Sequence, residues 1–191
     1  MIGERIKKIR EDEIDECRIL VRVVCEKIAR RIIERSLGRM DRNDLELLMY
    51  VIGFDVIGGE LLRPIPGKHR FGPMFTRNKK KILGNDLELI NKLIVEIWDK
   101  ENMDIDHIIG ELNGIDCGFV SLIFYLRDPE KYAILTKKTG EGIEKLFNIR
   151  LPKTSFKARY LKFNEYVNIL RKYGVKPQEI DTILAVIADE E

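Results

Sequence analysis

The sequence contains few of the residues on which most recognisable active sites depend. Its 191 residues include two histidines, three cysteines and one tryptophan. Neither histidine, His69 or His107, has a cysteine or a second histidine at the spacing of a metal site. The motifs HExxH, GxSxG and GxxxxGK[ST] are absent. These absences argue against a zinc hydrolase, a serine hydrolase and a P-loop NTPase, and the residues indicate no catalytic group, metal or cofactor.

Disulfides and membrane spans are also not expected. Cys17 and Cys25 lie eight residues apart on one predicted helix, on roughly the same face, and the third cysteine is Cys117. An odd number of cysteines without a CxxC pair is typical of reduced, buried thiols in an intracellular protein. No apolar run approaches the roughly eighteen residues that a membrane span needs, and the first sixteen residues are too charged for a secretory signal. The sequence therefore predicts a soluble cytoplasmic protein.

The composition is rich in charge of both signs. Charged residues make up 35% of the chain, with 34 basic and 32 acidic side chains, and Gln178 is the only glutamine. Abundant Lys, Arg and Glu with little Gln is the bias of proteins from heat-loving microbes, in which ion-pair networks gain value on heating. We therefore expect a thermophilic source, in which many charges serve stability and not binding.

The first long segment shows a helical period. Apolar residues recur every three or four positions and predict a helix of roughly 25 residues with one buried stripe. Gly38 ends this helix, and a short helix over residues 2–10 precedes it. The stripe is broad enough for a bundle interior or for a dimer seam. Its members are Ile14, Cys17, Val21, Val24, Ile28, Ile32, Ile33 and Leu37.

Further helices are predicted from start signals and apolar stripes. Residues that can cap a helix precede apolar-periodic segments at several points, and the predicted starts are Asp41–Asn43, Asn85 or Asp86, Asp104, Asp116, Asp128 with Pro129, Thr139, Ser155 and Pro177. No strand-like alternation is found. The prediction is an all-α protein, a multi-helix bundle of about eight or nine helices with a long N-terminal helix. One domain spans 1–191, with N-terminal helices (1–62), a basic irregular loop (63–84) and a helical core (85–191).

The basic loop is the strongest candidate for a binding site. Residues 63–84 hold seven basic and no acidic side chains and three of the six prolines. Lysine and arginine neutralise phosphates, and aromatic rings stack on unpaired bases, so this pattern predicts contact with DNA or RNA. Two lysines farther along extend the surface if the fold brings them close. The candidate residues are Arg63, Lys68, Arg70, Phe71, Phe75, Arg77, Lys79, Lys80, Lys81, Lys137 and Lys138.

Other interpretations of the same features stay open. The basic loop could dock on the acidic block at 85–136, in its own chain or in a second subunit, or it could be a solvated loop. Gly140 and Gly142 beside Lys137 and Lys138 could present backbone amides to an anion, or could simply form a capped turn.

One segment, residues 119–147, resembles a known kind of module. A serine on an apolar helix is followed by Asp-Pro-x-x-Tyr, an isoleucine and a polar turn that opens another helix, at Ser121, Asp128, Pro129, Tyr132, Ile134 and Thr139. This pattern is similar to helical modules that accompany microbial modification-dependent restriction ATPases and related defence proteins. Ala133 stands where such segments often have a second proline. The resemblance covers about 30 residues and implies association with nucleic acid through an accessory part, because the chain has no ATPase motif.

Three functional hypotheses follow from the sequence. The leading one is a non-catalytic, helical nucleic-acid-associated protein that uses the basic loop. The second is a self-associating scaffold or partner-binding protein, a homodimer through the N-terminal helix, since two-fold oligomers are common. The third is an enzyme acting on a phosphorylated small molecule, and it rests only on clustered basic residues.

Overall fold

Ten helices make up the described part of the protein. The computed structural model describes residues 2–52 and 78–190, apart from the side chain of Arg18. We number the helices α1 Ile2–Glu13, α2 Glu16–Ser36, α3 Arg42–Ile52, α4 Lys79–Leu83, α5 Leu87–Trp98, α6 Asp106–Glu111, α7 Cys117–Arg127, α8 Lys137–Phe147, α9 Phe156–Arg171 and α10 Ile180–Asp189, with a 3₁₀ turn at Pro177–Glu179.

The all-α prediction is confirmed. Helices alone provide the regular structure of residues 2–52 and 78–190, and no strand occurs there. The chain starts with α1, which has 12 residues, and the long helix is the second one, α2, with 21 residues. None of the helices in these two ranges is long and apolar enough to cross a membrane.

Several predicted helix ends are confirmed by their hydrogen bonds. The amide of Glu88 donates to the Asp86 carboxylate at 2.7 Å and that of Phe119 to the Asp116 carboxylate at 3.0 Å. The amide of Ala158 donates in the same way to the Ser155 hydroxyl at 3.1 Å. Each bond satisfies an amide that a helix start leaves without an intrahelical partner. Gly38 takes up the left-handed backbone conformation, with φ of 71°, that stops α2.

The hydrophobic core is centred on α7. Every residue of this helix from Gly118 to Leu126 is buried, so it has no solvent-facing side over that length. Helices α9 and α10 each bury one stripe in the same core, as the sequence predicts. The members of these two stripes are Phe156, Tyr160, Phe163, Val167 and Leu170 on α9, and Ile180, Ile183, Leu184 and Ile187 on α10.

The predicted helix start at Asp128 and Pro129 is wrong. Asp128 follows the last residue of α7, and its carboxylate accepts hydrogen bonds from the amides of Glu130 and Lys131 in a turn. An aspartate followed by proline satisfies a turn as readily as a helix start. The next helix also begins earlier than expected, because Thr136 caps α8 and Thr139 completes the capping box from inside the helix.

A buried segment without regular secondary structure, residues 132–135, connects that turn to α8. Its four residues are at most 3% exposed, and they bond neighbouring side chains instead of a sheet. The amide of Ala133 donates to the Asn164 side chain at 2.9 Å, and that of Leu135 donates to the Ser121 hydroxyl at 2.8 Å. The side chains of α7 and α9 thereby satisfy backbone groups whose burial without partners would cost about 1–3 kcal/mol each.

The backbone carbonyls of this buried segment also accept hydrogen bonds from neighbouring side chains. The Tyr160 hydroxyl donates to the Ala133 carbonyl at 2.9 Å, and the Thr139 hydroxyl donates to the Ile134 carbonyl at 2.9 Å. Arg171 donates to the Tyr132 carbonyl at 3.0 Å. Ser121, Tyr132, Ile134 and Thr139, which carry the resemblance to restriction-associated modules, therefore support or form this buried segment.

Candidate interaction surfaces

Most of the predicted nucleic-acid-binding residues lie outside the described residues. This applies to Arg63, Lys68, Arg70, Phe71, Phe75 and Arg77. The described end of the basic loop is not irregular as predicted, because Lys79–Leu83 form the short helix α4. The three lysines of the sequence KKK therefore lie on a helical turn.

Helix α4 presents its lysines beside α3. The Lys79 ammonium lies 5.5 Å from the centre of the Tyr50 ring, within the range of a cation–π contact. Lys80 and Lys81 are exposed, while Ile82 is fully buried and fixes the helix to the core. The charged ends of Lys80 and Lys81 can thus approach a polyanion without displacing any core residue.

The other two candidates, Lys137 and Lys138, occupy the first turn of α8. Lys138 donates to the Asp189 carboxylate at 2.6 Å, and Lys137 lies 3.9 Å from the Glu141 carboxylate while remaining largely exposed. Helix α8 packs against α9 and α10, whereas α4 packs against α3. The two groups of lysines therefore belong to different parts of the helical framework, and Lys138 is already paired.

Gly142 serves close helix packing in the middle of α8. A Cβ atom at this position would lie 2.1 Å from the backbone oxygen of Leu184 on α10. The backbones of α8 and α10 therefore approach within a distance that no side chain at residue 142 allows. This contact accounts for Gly142 without a bound anion.

A buried ion cluster joins α2, α7 and the C-terminal helices. Arg22 is only 1% exposed; its guanidinium donates to the Glu26 and Asp181 carboxylates, both at 2.6 Å, and to the carbonyl of Gln178. The Tyr125 hydroxyl donates to Glu26 at 2.7 Å, and the Tyr125 ring lies 5.3 Å from the guanidinium carbon. The cluster thus surrounds one cation with two carboxylates and an aromatic face.

Burial and charge act in opposite directions on the pKa of Arg22. Burial lowers this pKa, whereas the charge of Asp181, the neighbouring Tyr125 and the Glu26 carboxylate raise it. The second effect is larger, so the pKa of Arg22 lies well above its ordinary value. Burial also raises the pKa of Tyr125 well above its ordinary value. Both groups therefore keep their protons at neutral pH, and the cluster contains a permanent buried cation.

The predicted apolar stripe of α2 is only partly buried. The structure buries Ile32 and Ile33, at 5% and 0% exposure, but leaves Val24 and Ile28 at 45% and 38%. The buried face runs instead through Arg22, Cys25 and Ala29. The stripe prediction is therefore wrong for the middle of the helix, because a charged residue, Arg22, occupies a core position that the hydrophobic pattern cannot assign to it.

An exposed aliphatic ridge results on the outer side of α2. Leu20 at 65% exposure joins Val24 and Ile28 at intervals of four residues, and we call these three residues the α2 ridge. Cys17 is also exposed, whereas Cys25 is buried, so the two thiols do not share a face as expected. Beside the ridge, a groove of about 780 Å³ between α1, α2 and the 3₁₀ turn includes the side chains of Ile14, Ile19 and Val23.

A smaller surface cavity, of about 490 Å³, is lined by Glu96, Glu101, Asp104 and Lys157. Glu101 has a left-handed backbone, with φ of 53°, and its carboxylate accepts hydrogen bonds from Lys131 and Tyr132. Arg127 lies 3.1 Å from the same carboxylate. Hydrogen bonds from Lys131 and Tyr132, followed by the charge of Arg127, lower the pKa of Glu101 to about 2.

Replacing Glu101 with glutamine is expected to destabilise the protein in a pH-dependent way. The carboxylate has a lower pKa in the folded state than its ordinary value of 4.5, so its stabilising effect is present above pH 4.5 and is lost as the pH falls towards 2. Urea unfolding of both proteins between pH 7 and pH 2 measures this. The difference in unfolding free energy should be largest at pH 7 and shrink below pH 4.5.

The exposed Glu165, whose carboxylate pairs with Lys162 at 2.9 Å, provides the control. Glu165→Gln is expected to change the unfolding free energy little at any pH, because exposed ion pairs contribute about 0–1 kcal/mol. A Glu101→Gln difference that stays constant from pH 7 to pH 2 would contradict the assigned role of the carboxylate.

The geometry defines an all-α multi-helix protein with a buried ion cluster and two exposed surfaces of opposite character, one lysine-rich and one aliphatic. Within residues 2–52 and 78–190, no group of three or more His, Cys, Asp and Glu side chains is placed to hold a metal ion. No protein-family model matches the chain, and no curated protein or solved structure matches it either.

Proposed function

We propose that this protein is a non-catalytic, helical nucleic-acid-associated protein that contacts phosphates through Lys79, Lys80 and Lys81. The observation that carries the proposal is a run of three lysines, two of them exposed, in a stretch (63–84) without any acidic side chain. Other lysines lie next to carboxylates, for example Lys138 beside Asp189 and Lys157 beside Asp104. The resemblance of residues 119–147 to restriction-associated modules supports the same proposal.

The mode of binding follows from the side chains available. Lysine ammonium groups neutralise phosphates as point charges and release condensed counterions, which makes affinity fall steeply with salt. Phosphates are the same in every sequence, so binding through α4 should not discriminate between base sequences. The Tyr50 ring beside Lys79 offers an aromatic face for an unpaired base.

Replacing Lys79, Lys80 and Lys81 together with alanine is expected to weaken binding by about tenfold or more at low salt, equally for all base sequences. It should also reduce the slope of log affinity against log salt by about three, since each lost phosphate contact removes about one unit. Fluorescence-anisotropy titrations of labelled single- and double-stranded DNA and RNA at several salt concentrations measure both quantities.

A matched control removes the same charge elsewhere. Lys92, Lys153 and Lys172 are exposed residues of other elements, and their triple alanine variant has the same net charge as the α4 variant. It should bind almost as tightly as the parent. Equal weakening by both variants would show a general charge effect, and undiminished binding by the α4 variant at low salt would exclude this surface.

We also infer an intracellular location. All three cysteines are free, which suits a reducing compartment. We infer a thermophilic source as well, because the composition is rich in charged residues. The enzyme hypothesis stays a sequence-based prediction, and none of the contacts described above adds to it.

A further inference from the structure

The α2 ridge is an apolar surface that the described fold leaves uncovered. A single exposed aliphatic side chain is ordinary, but Leu20, Val24 and Ile28 follow one another at each turn of the helix and are 38–65% exposed. Each helical turn advances about 5.4 Å, so the ridge spans two turns, or about 11 Å. Contiguous apolar surface of this kind, bordered by charges, is typical of a protein contact.

The charges around the ridge differ at its two ends. Glu16 is exposed at the N-terminal end of α2, and Lys27 and Arg31 are exposed towards the C-terminal end. Residues seven apart lie two turns apart on almost the same side of a helix, so Arg31 and Cys17 are both nearly in line with Val24. Glu16 lies one turn before Leu20, so the aliphatic ridge has an acidic residue at one end and basic residues at the other, with Val24 at its midpoint.

Such a face is complementary to itself when the α2 helices of two copies pack antiparallel. An antiparallel arrangement places the acidic end of one α2 against the basic end of the other, whereas a parallel arrangement places like charges together. In a two-fold contact the same patch serves both subunits, and the residue at the midpoint meets its own copy. Charge complementarity thus identifies a second copy as the occupant and also fixes the relative direction of the helices.

We propose that the protein forms a two-fold homodimer in which two α2 helices pack antiparallel, with Val24 at the axis. Leu20 then packs against the partner's Ile28, and Glu16 lies near the partner's Arg31. This inference goes beyond the proposed nucleic-acid association and depends on none of its residues. Three side chains make a smaller contact than the roughly 20–30 residues a side of a standard interface, so we expect a weak, reversible dimer.

Single cysteines placed on the ridge test both the contact and its direction. In a Cys17→Ser background, Leu20→Cys, Val24→Cys and Ile28→Cys variants are oxidised at high protein concentration, which favours a weak dimer by mass action. The antiparallel dimer predicts that Val24→Cys crosslinks alone. The other two variants should crosslink only when they are mixed with each other. Efficient crosslinking of each variant alone would indicate a parallel contact, and no crosslinking would remove the interface; either result overturns the proposal.

Sedimentation equilibrium tests the energetics without a covalent bond. Val24→Glu should raise the dimer dissociation constant by about tenfold or more, because it buries a charge at the centre of the contact. Leu161→Glu, at a 51% exposed leucine on α9, is the matched control and should not change it. Both positions are exposed, so both variants should keep the circular dichroism and melting temperature of the parent. Equal dissociation constants for the parent and a folded Val24→Glu variant would contradict the proposal.

Charge reversal provides an independent test of the pairing. Arg31→Glu and Glu16→Arg should each weaken the dimer, because each places like charges opposite each other across the axis. An equimolar mixture of the two variants and the double variant should both regain affinity, because the mixed dimer and the double variant each place opposite charges against each other at both ends of the contact. A double variant that stays as weak as the single variants would contradict the proposed register.

Discussion

Replacing Arg22 with methionine is expected to lower the free energy of unfolding by about 3–5 kcal/mol, the usual cost of removing one partner from a buried ion pair. The guanidinium bonds Glu26 and Asp181, whose side chains are only 15% and 13% exposed. Methionine fills similar space along the arginine stem but leaves both carboxylates without their cation. Urea unfolding at neutral pH, followed by circular dichroism, measures the change.

Two further variants separate the lost charge from the lost packing. Arg39→Met removes an exposed arginine that donates to the backbone carbonyl of Arg35, and it should change stability by less than about 0.5 kcal/mol. Adding Glu26→Gln and Asp181→Asn to Arg22→Met should recover a large part of the loss, because the uncompensated charges are removed. A loss below about 1 kcal/mol for Arg22→Met would mean that the ion cluster is not energetically coupled to folding.

Replacing Gly142 with alanine is expected to cost about 3 kcal/mol or more, the upper part of the range for overpacked cores. The added methyl group would lie 2.1 Å from the Leu184 backbone oxygen, which cannot move aside like a flexible side chain. Helices α8 and α10 must separate to accommodate it. The melting temperature and the urea midpoint of the variant should both fall.

Gly110 provides the matched control on another helix. A Cβ atom added there meets nothing within 4 Å. Gly110→Ala should leave stability unchanged or raise it by about 0.4–1 kcal/mol, because alanine restricts the unfolded chain and favours a helix. If Gly142→Ala behaved like Gly110→Ala, the close approach of α8 and α10 would not be a feature of the folded protein.

The parts of the fold that local signals control were predictable from the sequence. The caps at Asp86, Asp116 and Ser155 and the stop at Gly38 depend on residues within a few positions of each helix end. The buried stripes of α9 and α10 follow the helical period because one side of each helix packs on one core. In these cases the sequence pattern and the tertiary environment agree.

Features that depend on distant residues were not predictable. The burial of Arg22 requires Asp181, which lies 159 residues away in the chain. The turn at Asp128 is held partly by Arg171, which donates to the carbonyl of Pro129 at 2.9 Å. No pattern within a short window contains either partner, so hydrophobic periodicity assigned Val24 and Ile28 to the core and Asp128 to a helix.

The candidate sites were likewise predictable from the sequence only in part. The charge run that ends in Lys79–Lys81 is visible in the sequence, and the structure adds that Lys80 and Lys81 are exposed. The pairing of Lys138 with Asp189 depends on the packing of α8 against α10 and could not be read from spacing. Composition therefore indicates how much charge is present, but only the fold shows which charges are already paired.

The buried segment at residues 132–135 also bears on aggregation. Extended backbone at a protein surface is a hazard, because its unpaired amides and carbonyls offer an edge to which a strand of another molecule can add. Here Ser121, Asn164, Thr139 and Tyr160 occupy those positions from within the same chain. The backbone groups that these side chains occupy are therefore not available to a neighbouring molecule, even when the molecules are crowded at high concentration.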